Sequence, residues 1–89
     1  MEDNKLIAEF MGAKMRGRAG KRVLTLNGKT EFKYHTSWDW LMPVVRKCFE
    51  IDEPTEGQHY YINEALLTLD IEIVYDRVVG FIKEYNEIN

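Results

Sequence analysis

RVLTLNGKTEFKY, residues 22–34, carries the sharpest local signal in the chain, with two runs of β-branched and aromatic residues flanking Asn27-Gly28. Asn and Gly accept the positive φ angles of a type I′ turn, so the pattern predicts a hairpin with a two-residue loop. In that register Leu26 faces Lys29 and Val23 faces Phe32. Val23, Phe32 and Tyr34 then share one face, while Leu24 and Leu26 occupy the other. A sheet with apolar weight on both faces needs helices on each side. The expected fold class is therefore α/β (α+β), a small three-layer α-β-α sandwich in one domain, with this β-hairpin and about three helices.

The flanking text supplies the helices. Leu6, Ile7, Phe10 and Met11 form one stripe, with Asp3 and Asn4 as N-caps and Gly12 as a stop, which predicts a helix over 4–11. Leu41, Val44, Val45, Cys48 and Phe49 recur at helical spacing and predict a helix over 37–50, with Pro43 kinking it or marking where its regular part begins. Ile71, Val74, Tyr75, Val78, Phe81, Ile82 and Tyr85 predict a long amphipathic helix over 70–86. Gly80 lowers the stability of that helix by about 1 kcal/mol relative to Ala and suggests close approach of a neighbour. Between these, DEPTEGQ (52–58) is a connector, HYYIN (59–63) is expected as a strand, and EALLTL (64–69) suits either its continuation or a second strand.

The chain has 89 residues, 45% of them hydrophobic and 30% charged, which is a globular balance and enough for one domain, 1–89. The net charge of −3 argues against duplex nucleic acid as a partner, but it is a cancellation. Residues 1–13 carry −2, residues 14–33 carry +6, and residues 34–89 carry −7. One cysteine excludes an internal disulfide framework, and the acidic start with its short apolar run does not resemble a signal peptide. No apolar run approaches the roughly 20 residues that span a bilayer. A soluble, cytoplasmic protein without membrane association is expected.

Residues 13–22, AKMRGRAGKR, hold five basic residues and no acid, and are expected as a flexible loop within the domain. Gly12 and Gly17 have the spacing of a phosphate-binding P-loop, but Arg18 and Ala19 replace its Lys and hydroxyl residue, and the flanks run helix to strand. What remains is an anion-binding set, Lys14, Arg16, Arg18, Lys21 and Arg22, which stands against the competing reading of a solvated charged loop. Tyr34, Trp38, Trp40, Tyr60 and Tyr61 are the aromatic groups that could stack on a ligand held there, and Tyr34, His35, Trp38 and Trp40 join the basic residues as the candidate ligand-binding set; core or oligomer contacts are the alternative. His35 and Asp39 stand four apart but lack a nucleophile, and suit a helix start as well as acid–base work. His59 is isolated, and Cys48 lies on an apolar stripe, so no metal site, cofactor or enzymatic activity is expected.

Three blocks, NKLIAEFMG (4–12), YHTSWDWLMPVV (34–45) and IEIVYDRVVGFIKEYN (71–86), resemble small phage and prophage proteins of the phage ABA-sandwich type. The resemblance implies a three-layer α-β-α fold and supplies no catalytic residue; the basic segment 13–22 departs from the family pattern. It makes a phage-type binding protein the expected function. The ligand would be a small anion, such as a host nucleotide immune signal, captured by a cytoplasmic homo-oligomer in counter-defence. The alternatives are a module that inhibits or adapts a host protein, or a structural phage accessory protein without ligand.

Overall fold

The computed structural model describes residues 2–16, 23–26 and 31–88. Within them lie four helices, α1 (Glu2–Phe10), α2 (Trp38–Glu50), α3 (Gln58–Leu67) and α4 (Ile71–Ile88), and two short strands, β1 (Lys14–Arg16) and β2 (Val23–Thr25). The 18-residue α4 is the axis on which α1, α2 and α3 pack. Its buried stripe of Val74, Tyr75, Val78, Val79, Phe81 and Ile82 meets Ile7 and Ala8 of α1, Leu41, Val44, Val45 and Cys48 of α2, and Ile62 and Ala65 of α3 in one core. Every helix thus buries a stripe three and four residues apart, which is what makes short helices stable in water.

The three-layer α-β-α sandwich is not formed, and the fold is mostly helical. Residues 23–25 are extended as predicted, but β2 pairs antiparallel with β1, in the register Lys14↔Thr25, Met15↔Leu24 and Arg16↔Val23. The segment expected as the second hairpin strand has no regular structure over 31–33 and turns over 34–36. The Asn27-Gly28 turn lies outside the described residues. The physical reason is burial. Phe32 and Tyr34 both enter the core, where their rings stack at 6.1 Å, and Trp40 meets each of them edge-on at 6.3 and 5.4 Å. Burying these two aromatic side chains draws residues 31–34 away from β2, which pairs with β1 instead. Within the segment expected as a basic loop, Lys14–Arg16 form β1; residues 17–22 lie outside the described residues.

HYYIN is helical, not a strand. Ile62, Ala65 and Leu66 recur at three and four and turn toward the core, so α3 buries a helical stripe inside text whose aromatic content suggested β structure. Gly80 is likewise not a point of close approach, since a Cβ there would meet nothing within 4 Å. α2 runs unbroken through Pro43 at the expense of one intrahelical hydrogen bond.

Candidate interaction surface

A buried polar hub organises the region where ligand-stacking aromatics were expected. Asn4 is buried in α1; its Nδ2 donates to the Phe32 carbonyl at 3.1 Å and meets His35 Nδ1 at 2.8 Å, while its Oδ1 accepts from the Tyr75 hydroxyl at 2.9 Å. Because a carbonyl can only accept, the Phe32 contact fixes which end of the amide is NH2, and His35 Nδ1 must therefore carry a lone pair. Burial, reinforced by Asp3 and Asp76, pushes the Tyr75 hydroxyl up to about 12, so it stays a donor at neutral pH. Asn4 was expected only as a helix cap; its role depends on partners 28, 31 and 71 residues away, which no local pattern displays.

The described residues of the set expected to hold an anion sit in different settings. Tyr34 is 2% exposed, and burial raises its pKa. Trp40 is half-buried against Tyr34 and Phe32. His35 is engaged by Asn4 and packs edge-on against Tyr75 at 6.2 Å. Trp38, at the first turn of α2, is open to solvent, as are Tyr60 and Tyr61 on α3. Lys14 is exposed on β1, Arg16 also lies on β1, and Arg18, Lys21 and Arg22 fall outside the described residues.

His59 is not isolated. Its Nε2 donates to the Cys48 carbonyl at 2.8 Å, in the last turn of α2, and its ring stacks on Phe81 at 5.7 Å. The Glu53 carboxylate accepts from the His59 backbone N–H at 2.9 Å, at the start of α3, and lies 3.7 Å from His59 Nδ1. One histidine and one glutamate thus satisfy the C-terminal end of α2 and the N-terminal end of α3. The backbone N–H of His59, with lesser help from Gly57 and the His59 ring, holds the Glu53 carboxyl below the usual range. A depressed acid stabilises the fold above its unfolded pKa, and that contribution disappears as pH falls through the folded value. Lowering pH from neutrality into the acid range should therefore destabilise the wild type more than Glu53→Gln. Urea midpoints at the two pH values check this; identical pH dependence in both proteins rules the capping role out. Cys48 itself is fully buried, and burial pushes its thiol up to about 12, which keeps it a core residue rather than a nucleophile.

The outer surface of α3 and the connection to α4 have a different character. Tyr60, Glu64 and Leu67 fall at i, i+4 and i+7 on one exposed stripe, with Tyr60 60% and Leu67 72% exposed. The Tyr60 hydroxyl donates to the Glu64 carboxylate, which raises its pKa, and Tyr60 meets Tyr61 edge-on at 6.0 Å. Tyr61 lies under the Arg77 guanidinium at 5.2 Å, and Ile73 and Leu69 extend the exposed apolar surface onto the start of α4. Residues 48–76 contain eight carboxylates and no Lys or Arg, and the exposed Arg77 over Tyr61 adds a cation to this surface. This stretch was legible in the sequence as part of an acidic remainder, but the strand expected over HYYIN hid the fact that its aromatics line one helix.

The opposite end of α4 carries a shallow cavity of about 340 Å³ lined by Glu9, Phe10, Lys47, Ile51, Tyr85 and Asn86. Its cation is already used, since Lys47 donates to the Phe10 carbonyl and lies 4.6 Å from the Phe10 ring. Among the described residues no cluster of three or more His, Cys, Asp or Glu is placed to hold a metal, and no helix is long and apolar enough to cross a membrane. Comparison with protein-family models, with curated proteins and with solved structures finds no match to this chain.

Proposed function

We propose that this protein is a non-catalytic binding protein that docks onto a protein surface through α3 and the α3–α4 connection. The observation that carries this reading is the exposed pair Tyr60 and Leu67 on one stripe of α3, continued by exposed Leu69 in the connection, within a stretch, 48–76, that holds eight carboxylates and is followed by exposed Arg77 over Tyr61. Large, stiff aromatic and aliphatic groups supply the desolvated centre of a protein interface, and the surrounding carboxylates select a partner that is apolar at its centre and basic at its rim. Capture of a small anionic ligand, such as a nucleotide, is the second reading. It is favoured by exposed Trp38 and by the +6 charge of residues 14–33, and opposed by the burial of Tyr34 and Trp40 in the core.

Native mass spectrometry of the protein purified gently from cells separates the two. The docking reading requires a complex of two or more protein chains that weakens as ionic strength rises, because the Debye length shrinks from about 10 Å at 0.1 M to about 3 Å at 1 M salt. A single chain that retains only a nucleotide-sized anion overturns it in favour of the second reading.

A further inference from the structure

The neutral imidazole of His35 has one place left for a proton, and the Asn4 amide occupies it. Asn4 Nδ2 gives one hydrogen to the Phe32 carbonyl at 3.1 Å and the other to His35 Nδ1 at 2.8 Å, while Oδ1 accepts from the Tyr75 hydroxyl at 2.9 Å. With its lone pair at Nδ1, the neutral ring carries its own hydrogen at Nε2. A second proton therefore has to enter at Nδ1, the nitrogen held by Asn4.

That proton sets N–H against N–H. Two rearrangements relieve the clash, and each breaks the hub elsewhere. Turning the Asn4 amide over offers Oδ1 to the imidazolium, but it sets Oδ1 against the Phe32 carbonyl and takes the acceptor away from the Tyr75 hydroxyl. Swinging the ring away strands one hydrogen of Asn4, which is 5% exposed, and gives up the edge-on packing of His35 on Tyr75 at 6.2 Å. We infer that His35 is a proton-operated release for α1: uptake of one proton at Nδ1 unfastens Asn4 from the segment 32–35 and from Tyr75, and loosens the start of α1 from α4.

The start of α1 depends on this fastening. Asn4 is the one buried polar side chain among the described residues, and beside it lies an exposed ion pair, Asp3 with Lys83 at 3.9 Å. The far end of α1 is held separately, by Lys47 at the Phe10 carbonyl. The charged groups around the hub are Asp3 on α1, Asp76 on α4, Asp39 in the first turn of α2, and Glu31 and Lys33 in the segment of His35 itself; Asp3 and Asp76 act on the Tyr75 hydroxyl, which keeps its proton. The carboxylates favour an imidazolium, and Lys33 and Lys83 oppose it. All of these side chains reach water, which screens them far more than it screens a direct contact with buried Asn4.

Histidine is the side chain that ordinarily changes charge between about pH 5 and pH 8. The released ring accepts the second proton and the fastened ring has no place for it, so the released state binds more protons and gains population as pH falls.

Hydrogen exchange of the isotope-labelled full chain, read by NMR at about pH 7.5 and about pH 5.5, tests this. The reporting amides are those of Leu6, Ile7 and Ala8, whose helical hydrogen bonds run back to the carbonyls of Glu2, Asp3 and Asn4. After correction for intrinsic exchange, their protection in the wild type should fall roughly tenfold or more at the lower pH, while Val78 and Val79 of α4 keep theirs. His35→Gln offers a carbonyl in place of Nδ1 and cannot titrate, so it should show no such fall. His59, the other histidine of the chain, joins α2 to α3 and cannot produce a change confined to α1. The ring-nitrogen shifts of the wild type add a reading that needs no variant: at neutral pH His35 should carry a hydrogen on Nε2 and none on Nδ1.

A hydrogen on Nδ1 at neutral pH overturns the proposal, as does α1 protection that is the same at both pH values. An equal fall in His35→Gln takes the role away from His35, and a fall shared by α4 means that the whole fold loosens rather than α1. If glutamine unfolds the chain, the tautomer and the confinement of the wild-type loss to α1 still decide.

Discussion

Truncating Phe81 to alanine should lower the unfolding free energy by about 4 kcal/mol, within the range seen for large aromatic deletions in packed cores. Phe81 is fully buried on α4, and His59 lies nearly parallel over its ring, at 12° and 5.7 Å. The cavity therefore opens directly beneath the residue that joins α2 to α3. Two losses coincide, the transfer free energy of the ring and the support that keeps His59 in reach of the Cys48 carbonyl. Phe81→Leu fills most of the volume and should lose about 1 kcal/mol. Urea unfolding at neutral pH measures both; a loss below about 2 kcal/mol for Phe81→Ala means that the site collapses onto itself and that His59 does not depend on the ring.

Replacing Asn4 by alanine should remove about 3 kcal/mol, although the side chain is small and polar. The substitution leaves the Phe32 carbonyl, His35 Nδ1 and the Tyr75 hydroxyl without their shared partner at once. Each orphaned buried group loses about 1–3 kcal/mol, and half-exposed His35 recovers part of its share from water. Asn4→Asp keeps the shape but turns a two-proton donor into an acceptor facing a carbonyl, so at neutral pH it should be no better than alanine. Equilibrium unfolding of both variants decides the matter. An Asp variant within about 1 kcal/mol of wild type shows that the hydrogen-bond directions assigned to the amide are wrong.

These two positions also show what the sequence conveyed. Helices α1, α2 and α4 were legible because each repeats apolar residues at three and four, as in Leu41, Val44, Val45 and Cys48, and tertiary packing rewards that stripe directly. The hairpin was misread because turn chemistry at Asn27-Gly28 is a local preference, while the fate of Phe32 and Tyr34 was decided by a non-local core that includes Trp40. α3 was misread for the mirror reason: Tyr60, Tyr61 and Ile62 favour strands one by one, but the stripe of Ile62, Ala65 and Leu66 buries only as a helix. The candidate surface depended on that correction, since Tyr60, Glu64 and Leu67 share a face only on a helix.

The hydrogen bond from the Tyr75 hydroxyl to Asn4 joins residues 71 apart in an 89-residue chain. Closing so long a loop is entropically late, whereas α3 and α4 are neighbours along the sequence and can meet early. The Asn4 hub thus serves as a latch on a completed fold rather than as part of its nucleus. Asn4→Ala should accordingly accelerate unfolding and leave the folding rate within about twofold of wild type, because a contact absent from the transition state acts on the unfolding limb alone. Stopped-flow kinetics reads both limbs, and slowed folding would place α1 in the nucleus instead. Accelerated unfolding with unchanged folding means that the protein's lifetime against unfolding is governed from its first helix, far along the chain from the α3–α4 connection.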